Sequence, residues 1–386
     1  MSQDFIEYRN KTNQITLVDR LSSIHWTIIC MVFLISGVGV AMLYSAAQGS
    51  MHPWANAHME KFAVGLILMI IVALVDIRLW LKTAYVLYAG ALGLLILVEL
   101  MGARGGGAER WIDLGFIRLQ PSELMQLGLV LAMARYFNGL EMEDISKPQK
   151  LLPPILFIAV PTFLVLKQPD LGTSIKLMIV GMTVAFCAGV KYWKFITGIL
   201  AVVMAAPFLW LGLKDYQKAR IYTFINPESD PSGSGYHIIQ SKIAFGSGGF
   251  FGKGYLQGTQ TQLEFLPEAH TDFIFALLSE EWGMLGGIVL LSLFAILIAT
   301  GLSISIRSEN QFGRLLALGL AANLFFYVFI NVGMVMGLLP VVGVPLPMVS
   351  YGGTAMMVVM ISMGYVMNVH IHQDLHLTRF GDDTGD

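Results

Sequence analysis

Long apolar runs separated by short polar turns dominate this sequence and leave few folds open to it. Most of the runs are close to the ~20 residues that a helix needs to cross the hydrocarbon core of a bilayer. Of the 386 residues, 55% are hydrophobic and 13% are charged, whereas soluble domains average about 25% charged residues. The pattern predicts an all-α polytopic membrane protein with a single transmembrane domain covering residues 1–386.

The apolar runs predict about ten transmembrane helices, of which the second and the sixth have the weakest pattern. The polar N-terminal residues show no cleavable signal peptide, so the first span is expected to act as an uncleaved anchor. The predicted spans are residues 24–46, 62–76, 83–101, 121–137, 151–167, 171–189, 195–213, 272–304, 314–338 and 351–369.

Basic residues in the short loops predict that both termini are cytoplasmic, following the positive-inside rule. The outer side then receives one long extracytoplasmic loop, residues 214–271, between helices 7 and 8. Within this loop, residues 236–245 are predicted to form an amphipathic segment on the membrane surface. The basic residues assigned to the cytoplasm are Arg9, Lys11, Arg20, Arg78, Lys82, Arg135, Lys147, Lys150, Lys191, Lys194, Arg307, Arg314 and Arg379.

Charge and cysteine content exclude several classes of function. The net charge of −2 and the pI of about 6.4 give no basic surface for nucleic acid. Cys30 and Cys187 both lie inside apolar runs, which favours core packing over a disulfide or a metal pair. The sequence has no phosphate-binding P-loop, no paired-cysteine metal motif and no serine nucleophile elbow.

Ionisable residues gather where the long loop meets the eighth predicted helix. Asp272 is the main catalytic candidate, and Glu268 and His270 lie close to it in the sequence. Thr271 is predicted to be the N-cap of the helix with Asp272 in its first turn, and capping alone would account for an acid there. Charges at an apolar rim are costly unless they pair or bind something, which favours function. An ionised Asp272 could hold a divalent cation, or Asp272 could act as a general base; both roles stay open.

Three further charged residues lie at or inside predicted helices. Glu123 follows Pro121 and Ser122 at an ordinary helix start, and Asp170 has a similar position. Lys176 lies about two turns into an apolar helix, where an unpaired ammonium would cost several kcal/mol. We therefore expect Lys176 to pair with Glu123 or Asp170, since snorkelling to the interface is the weaker alternative.

Cations on the outer side are candidates for binding a diphosphate, which needs several donors. Lipid headgroup contact is the alternative for any single one of them. The candidates are Arg110, Lys218, Arg220 and Lys253, with Arg118 and Lys214 nearby.

An ordered series of motifs resembles the SEDS family (shape, elongation, division, sporulation), and its rod-shape branch more closely than its division branch. The resemblance covers most of the chain. The motifs are Arg110-Trp111-Ile112-Asp113-Leu114-Gly115, Gln120-Pro121-Ser122-Glu123, Lys167-Gln168-Pro169-Asp170-Leu171-Gly172-Thr173, Pro227-Glu228-Ser229-Asp230-Pro231, Gly235-Tyr236-His237-Ile238-Ile239-Gln240-Ser241, Gly246-Ser247-Gly248-Gly249, Gly252-Lys253-Gly254, Pro267 to Phe275, Pro345-Leu346-Pro347 and Ser350-Tyr351-Gly352-Gly353.

The resemblance implies a ten-helix peptidoglycan glycosyltransferase of the bacterial plasma membrane. Such an enzyme would polymerise lipid II on the outer face, use a divalent cation (Mg or Mn), and work with a class B penicillin-binding protein and other membrane proteins of the elongation complex. Asp272 would be the catalytic acid, and Glu123 and Asp170 would line the central cavity. An α-linked donor giving a β-linked product would mean a single inversion.

The sequence departs from the family at one informative position. The helix that starts Pro-Ser-Glu usually carries a Lys three positions after the Glu, and Gln126 stands there instead. Gln126 and Lys176 are at similar depths in their helices, at about 1.5 Å of rise per residue. Our hypothesis is that Lys176 supplies the missing charge from a neighbouring helix.

Two other classes of function compete with the enzyme. A transporter, such as a flippase for the same lipid intermediate, also has many helices and intramembrane polar residues. A carrier would place those residues near the midplane, whereas here they crowd one face. A non-catalytic scaffold would tolerate replacement of Asp272.

Overall fold

The computed structural model describes residues 17–101, 103–105, 108–113, 118–212, 215–230, 233–262, 265, 269–375 and 377. Within these ranges, eight helices are long and apolar enough to cross a membrane. They are α2 (Trp26–Ala46), α3 (Trp54–Leu74), α4 (Ile77–Met101), α6 (Pro148–Lys167), α7 (Leu171–Ala188), α12 (Ile274–Arg307), α13 (Gln311–Val335) and α14 (Gly353–Ile371). The predicted all-α polytopic membrane fold is confirmed.

Two more helices occupy the remaining predicted spans. They are α5 (Pro121–Asn138) and α8 (Tyr192–Gly212). Helix α5 carries Glu123, Gln126 and Arg135, which lower its hydropathy. The apolar part of α8 runs only over Tyr192–Phe208. The figure of ten membrane-crossing helices and the cytoplasmic placement of both termini therefore stay predictions.

The shorter elements are α1 (Leu17–Ser22) and a small antiparallel sheet ahead of α5. The sheet has the order β1 (Ala103–Gly105), β2 (Ala108–Asp113), β3 (Arg118–Leu119), with Ile112 opposite Leu119. Thr354 Oγ1 at the start of α14 donates a hydrogen bond to Arg118 O at 2.7 Å. This bond ties the sheet to the end of the bundle where the predicted outer loops lie.

Close packing of small residues holds the core together. Gly364 of α14 lies against α3, where a Cβ would be only 2.5 Å from Met69 O. Gly128 of α5 similarly approaches Tyr88 of α4, at 3.1 Å from its Cα. Helix packing inside a membrane relies on such small residues because lipid and side chains are equally apolar.

The long loop between α8 and α12 is largely helical where the structure describes it. It contains α9 (Asp215–Ile225), a 3₁₀ turn (Pro227–Ser229), α10 (Ser234–Ser247) and α11 (Thr259–Gln262). Helix α10 covers the predicted amphipathic segment, with Ile238 and Ala244 buried and Lys242 exposed. Ser241 Oγ of α10 donates to Val335 O at 2.9 Å. The loop therefore folds back onto the helix bundle.

Helix α12 is kinked at Gly283, whose φ of 67° and ψ of −164° are not helical. Loop residues replace the helical hydrogen bonds on both sides of the kink. Lys253 N and Gly254 N donate to Glu280 O and Glu281 O, each at 3.0 Å. Met284 N donates to Gly249 O at 3.0 Å. The kink thus has an identifiable cause, an inserted loop.

Candidate functional site

Asp272 lies in the turn that precedes α12, at the end of the bundle where the long loop returns. The helix begins at Ile274 with Phe273 as its N-cap. The predicted Thr271 N-cap is therefore wrong, because residues 271–273 form turns rather than the first turn of the helix. Asp272 is half-buried and lies one residue before the N-cap residue Phe273.

Asn331 of α13 fixes the backbone beside the Asp272 side chain. Its Nδ2 donates to Asp272 O at 2.9 Å and to Val344 O at 2.8 Å. One amide therefore joins the Asp272 turn to the loop between α13 and α14. On that loop Gly343 has φ +70°, and a Cβ there would lie 3.4 Å from Asp272 Oδ2. The carboxylate thus faces a loop position without a side chain.

A row of aromatic and basic side chains lies beside the Asp272 turn. The His270 ring stacks on the Trp54 ring of α3, with centroids 4.2 Å apart and planes 10° apart. Tyr351 N donates to His270 O at 2.8 Å. Lys61 Nζ of α3 lies 4.3 Å from the centroid of the Tyr351 ring. The predicted partner His270 is therefore in the site, together with Trp54 and Lys61.

Sequence reasoning missed Trp54 and Lys61 because the second span was predicted to begin at residue 62. Helix α3 begins eight residues earlier, at Trp54. Lys61 is thus a lysine about two turns inside an apolar helix, the same signal that singled out Lys176. This signal was missed because polar residues interrupt the apolar pattern there, namely His58, Glu60 and Lys61.

A second polar cluster is buried between α5, α7 and α13. Lys176 Nζ of α7 lies 3.9 Å from Glu123 Oε1 of α5. Gln126 Nε2 lies 3.4 Å from Glu123 Oε2. Lys176 Nζ also lies 2.9 Å from the centroid of the Tyr327 ring of α13. The predicted pairing of Lys176 with Glu123 is thus present, and both side chains are almost fully buried.

Asp170 is the N-cap of α7, and within the part of the chain that the structure describes it forms no ion pair with Lys176. Its Oδ1 accepts from Thr173 N at 3.1 Å, and its Oδ2 accepts from Gln120 Nε2 at 3.2 Å. Because Gln120 is the N-cap of α5, Asp170 joins the starts of two helices. Its position therefore has an architectural explanation.

The loop between α13 and α14 connects the Asp170 region with Asp272. Gly172 packs on this loop so closely that a Cβ would lie 2.8 Å from Val342 O. The next residue of the loop, Gly343, faces Asp272. The two polar clusters therefore flank one loop at the same end of the bundle.

The predicted outer cations have different surroundings. Lys253 Nζ is bound by Glu280 Oε1 at 2.7 Å and by Thr259 Oγ1 at 2.9 Å, which favours a structural role in this conformation. Lys218 and Arg220 are half-buried on α9. The Arg110 side chain and Glu268 fall outside the described residues. Binding of a diphosphate by these cations stays a prediction.

A divalent cation would not find a ready cage of protein ligands. Within the residues described, no group of three or more His, Cys, Asp or Glu side chains is placed to hold a metal ion. Mg²⁺ is commonly held by one or two carboxylates together with substrate phosphates and waters. The single carboxylate of Asp272 fits that mode, in which a phosphorylated substrate completes the coordination.

Comparisons with known proteins agree over nearly the whole chain. The family model FTSW_RODA_SPOVE, described as "Cell cycle protein", matches residues 17–375. The peptidoglycan glycosyltransferase MrdB of Escherichia coli is 47% identical over 340 residues, which cover 87% of this chain and 90% of MrdB. The probable peptidoglycan glycosyltransferase FtsW of Trichlorobacter lovleyi is 36% identical over 359 residues, covering 91% and 94% of the two chains.

Two solved structures share the fold. One is described as showing the structural coordination of polymerization and crosslinking by a peptidoglycan synthase complex; it has a TM-score of 0.80 at 29% identity and covers 91% of this chain and 98% of that one. The other is the rod shape determining protein RodA of Thermus thermophilus, with a TM-score of 0.70 at 27% identity and the same coverage.

Proposed function

The chain belongs to the FtsW, RodA and SpoVE family of cell cycle proteins, and on that premise we propose that Asp272 is the catalytic residue of its peptidoglycan glycosyltransferase activity. The observation that carries the assignment is the setting of Asp272 described above. It is a half-buried carboxylate that faces a glycine and sits on backbone held by Asn331. Chemistry needs a group whose position is fixed by its surroundings in this way.

The substrate class is lipid II, which serves as both donor and acceptor in polymerisation during cell elongation. Asp272 accepts the proton of the acceptor sugar hydroxyl as general base. The hydroxyl oxygen forms a bond to the anomeric carbon of the donor, and the bond from that carbon to the diphosphate oxygen breaks. Polyprenyl diphosphate leaves with the electron pair, and the α-linked donor becomes a β-linked product.

Charge on the departing diphosphate needs neutralisation. A divalent cation, Mg²⁺ or Mn²⁺, would supply Lewis acidity there when bound, with Asp272 as its protein ligand. The Lys176–Glu123 pair lies across the connecting loop from Asp272 and holds helices α5 and α7 in register. Its role in this proposal is to position the loop.

The polar clusters lie at one end of the bundle, which supports an active site on the extracytoplasmic side. The chain is a multi-pass membrane protein, and we assign it to the bacterial inner membrane. Its expected partner is a class B penicillin-binding protein, the transpeptidase that crosslinks the strands. The 29% identical neighbour from a peptidoglycan synthase complex supports such a pairing.

The test is polymerisation of purified lipid II by the protein reconstituted with its transpeptidase partner. Wild type, Asp272→Asn and Asp144→Asn are compared, with and without chelator. Asp144 is a partly exposed carboxylate paired with Lys147 in the turn between α5 and α6, so it controls for loss of a negative charge. We expect glycan strands from wild type and Asp144→Asn, and none from Asp272→Asn or after chelation.

Equal polymerisation by wild type and Asp272→Asn would remove Asp272 from the mechanism. Polymerisation that persists after chelation would exclude only the metal ion from the mechanism. If an intact, folded complex yields no glycan strands with any variant, a transport or scaffold function replaces the proposed glycosyltransferase function.

A further inference from the structure

Lys61 combines a position inside a membrane helix with direct packing on the loop beside Asp272. It lies seven residues after Trp54, the first residue of α3, which is roughly 10 Å along the helix. Its side chain runs along Gly353, where a Cβ would lie 2.8 Å from Lys61 Cδ and 3.2 Å from its Nζ. Its ammonium then reaches the face of Tyr351.

The ammonium of Lys61 has no carboxylate partner among the residues that the structure describes. The other lysines that reach into the polar clusters, Lys176 and Lys253, are each paired with a glutamate. The Tyr351 ring offers Lys61 a cation–π contact, which offsets only part of the cost of a half-buried charge. The start of α14 at Gly353 adds a positive helix end beside it. The two features together make this part of the site electropositive.

We propose that Lys61 binds the diphosphate of a lipid-linked substrate whose sugar is presented to Asp272. This inference rests on the proposed function and adds a binding residue to it. A lysine ammonium interacts with phosphate as a compact point charge with three donors.

The order of groups along α3 matches the order of groups in such a substrate. The Trp54–His270 stack lies at the level of the Asp272 turn, because His270 is two residues before Asp272 in the chain. Lys61 lies deeper in the membrane span by about two helical turns. A polyprenyl diphosphate sugar has its tail in the bilayer, its diphosphate at the interface and its sugar furthest out. The diphosphate therefore meets Lys61 when the sugar meets the Asp272 turn.

Binding of undecaprenyl diphosphate to the full-length protein in phosphatidylcholine nanodiscs tests the inference without any turnover. Wild type is compared with Lys61→Gln, Lys61→Ala and Lys61→Arg, all made also in the Asp272→Asn background. Lys191→Ala, which removes an exposed lysine from the turn before α8, is the matched charge control. We expect Lys61→Gln and Lys61→Ala to weaken binding about tenfold or more, as loss of one charge-assisted contact does. Lys61→Arg is expected within about threefold of wild type, and Lys191→Ala unchanged.

Competition by phosphatidylglycerol distinguishes a substrate diphosphate from an ordinary anionic headgroup. We expect no displacement by phosphatidylglycerol in large excess. Displacement, or binding by the folded Lys61→Gln protein within twofold of wild type, would overturn the proposal. If Lys61→Ala does not fold, Lys61→Gln, which keeps the length of the side chain, decides.

Polymerisation kinetics separate this inference from the proposed function. In the reconstituted complex, Lys61→Gln is expected to raise KM for lipid II about tenfold with kcat within threefold of wild type. If Asp272 proves not to be the catalyst, the catalytic assignment is wrong, whereas the nanodisc binding result for Lys61 remains valid. A normal KM with weakened diphosphate binding would also contradict the role of Lys61 in substrate binding.

Discussion

Lys176 Nζ lies 3.9 Å from Glu123 Oε1, although the two residues come from different helices and both are almost fully buried. Gln126, one turn after Glu123 on the same helix, points its amide at the same carboxylate. The cation beside Glu123 thus comes from α7, whereas α5 carries an amide at the corresponding depth. The hypothesis of positional exchange between Gln126 and Lys176 is consistent with this geometry.

Replacing Lys176 with alanine is expected to abolish polymerisation and to destabilise the protein. Removing one partner of a buried ion pair leaves an uncompensated charge, which costs about 3–5 kcal/mol. Adding Gln126→Lys in the same chain is expected to restore both properties, because it returns a cation to within reach of Glu123. Thermal unfolding in detergent and lipid II polymerisation are the two measurements. An active Lys176→Ala protein, or a double variant that stays inactive, contradicts positional exchange.

Replacing Asn331 with leucine is expected to lower kcat with Asp272 still present. The variant loses two hydrogen bonds, to Asp272 O and Val344 O, each contributing about 1 kcal/mol. Asn323→Leu on the same helix is the control, since Asn323 is buried and its Oδ1 has no hydrogen-bond partner. We expect Asn323→Leu to be neutral or stabilising in a denaturation experiment. Equal kinetics for the two variants would show that Asn331 does not position the Asp272 turn.

Replacing Gly343 with alanine tests the space in front of the Asp272 carboxylate. A left-handed φ of +70° costs an alanine roughly 1–2 kcal/mol, and the new Cβ would lie 3.4 Å from Asp272 Oδ2. We expect the kcat of polymerisation to fall at least tenfold, with a modest loss of thermal stability. Gly198→Ala in α8 is the control, because nothing lies within 4 Å of a Cβ there. That variant is expected to keep full activity.

Replacing Glu280 with glutamine is expected to loosen the loop that is inserted at the α12 kink. The Glu280 carboxylate accepts hydrogen bonds from Lys253 Nζ, Thr259 Oγ1 and Gln260 N. Hydrogen–deuterium exchange should rise over residues 253–260 and remain unchanged in α14. Lys147→Ala, which breaks an exposed pair worth about 0–1 kcal/mol, is the control. Unchanged protection of Gln260 in the Glu280→Gln protein would contradict this anchoring role.

The helices were predictable because their apolar length is set by the bilayer, and residues such as Lys176 were conspicuous because a buried charge demands a partner. The pairing of Lys176 with Glu123 followed from that demand. The start of α3 was not predictable, because His58, Glu60 and Lys61 look like a loop until Tyr351 and Gly353 are known to cover Lys61.

The kink of α12 was equally hidden in the sequence. Gly283 lies in an apolar run that favours an unbroken helix. The loop residues that bond to the helix on either side of it lie some thirty residues upstream, in residues 249–254. The beginning of α12 was misplaced for a related reason. Thr271 and Asp272 have the composition of a cap, but both lie in a turn, where Asn331 from a helix far along the chain bonds to Asp272 O.

The loop inserted at Gly283 forms hydrogen bonds with α12 on both sides of its kink. Glu280 and Glu281, on the Asp272 side of the break, bond to Lys253 and Gly254, whereas Met284 on the far side bonds to Gly249. The bend of the helix is therefore set by the loop and not by the helix itself. The direction of the short helical segment between Ile274 and the kink, and of the Asp272 turn that precedes it, therefore depends on how this loop is seated.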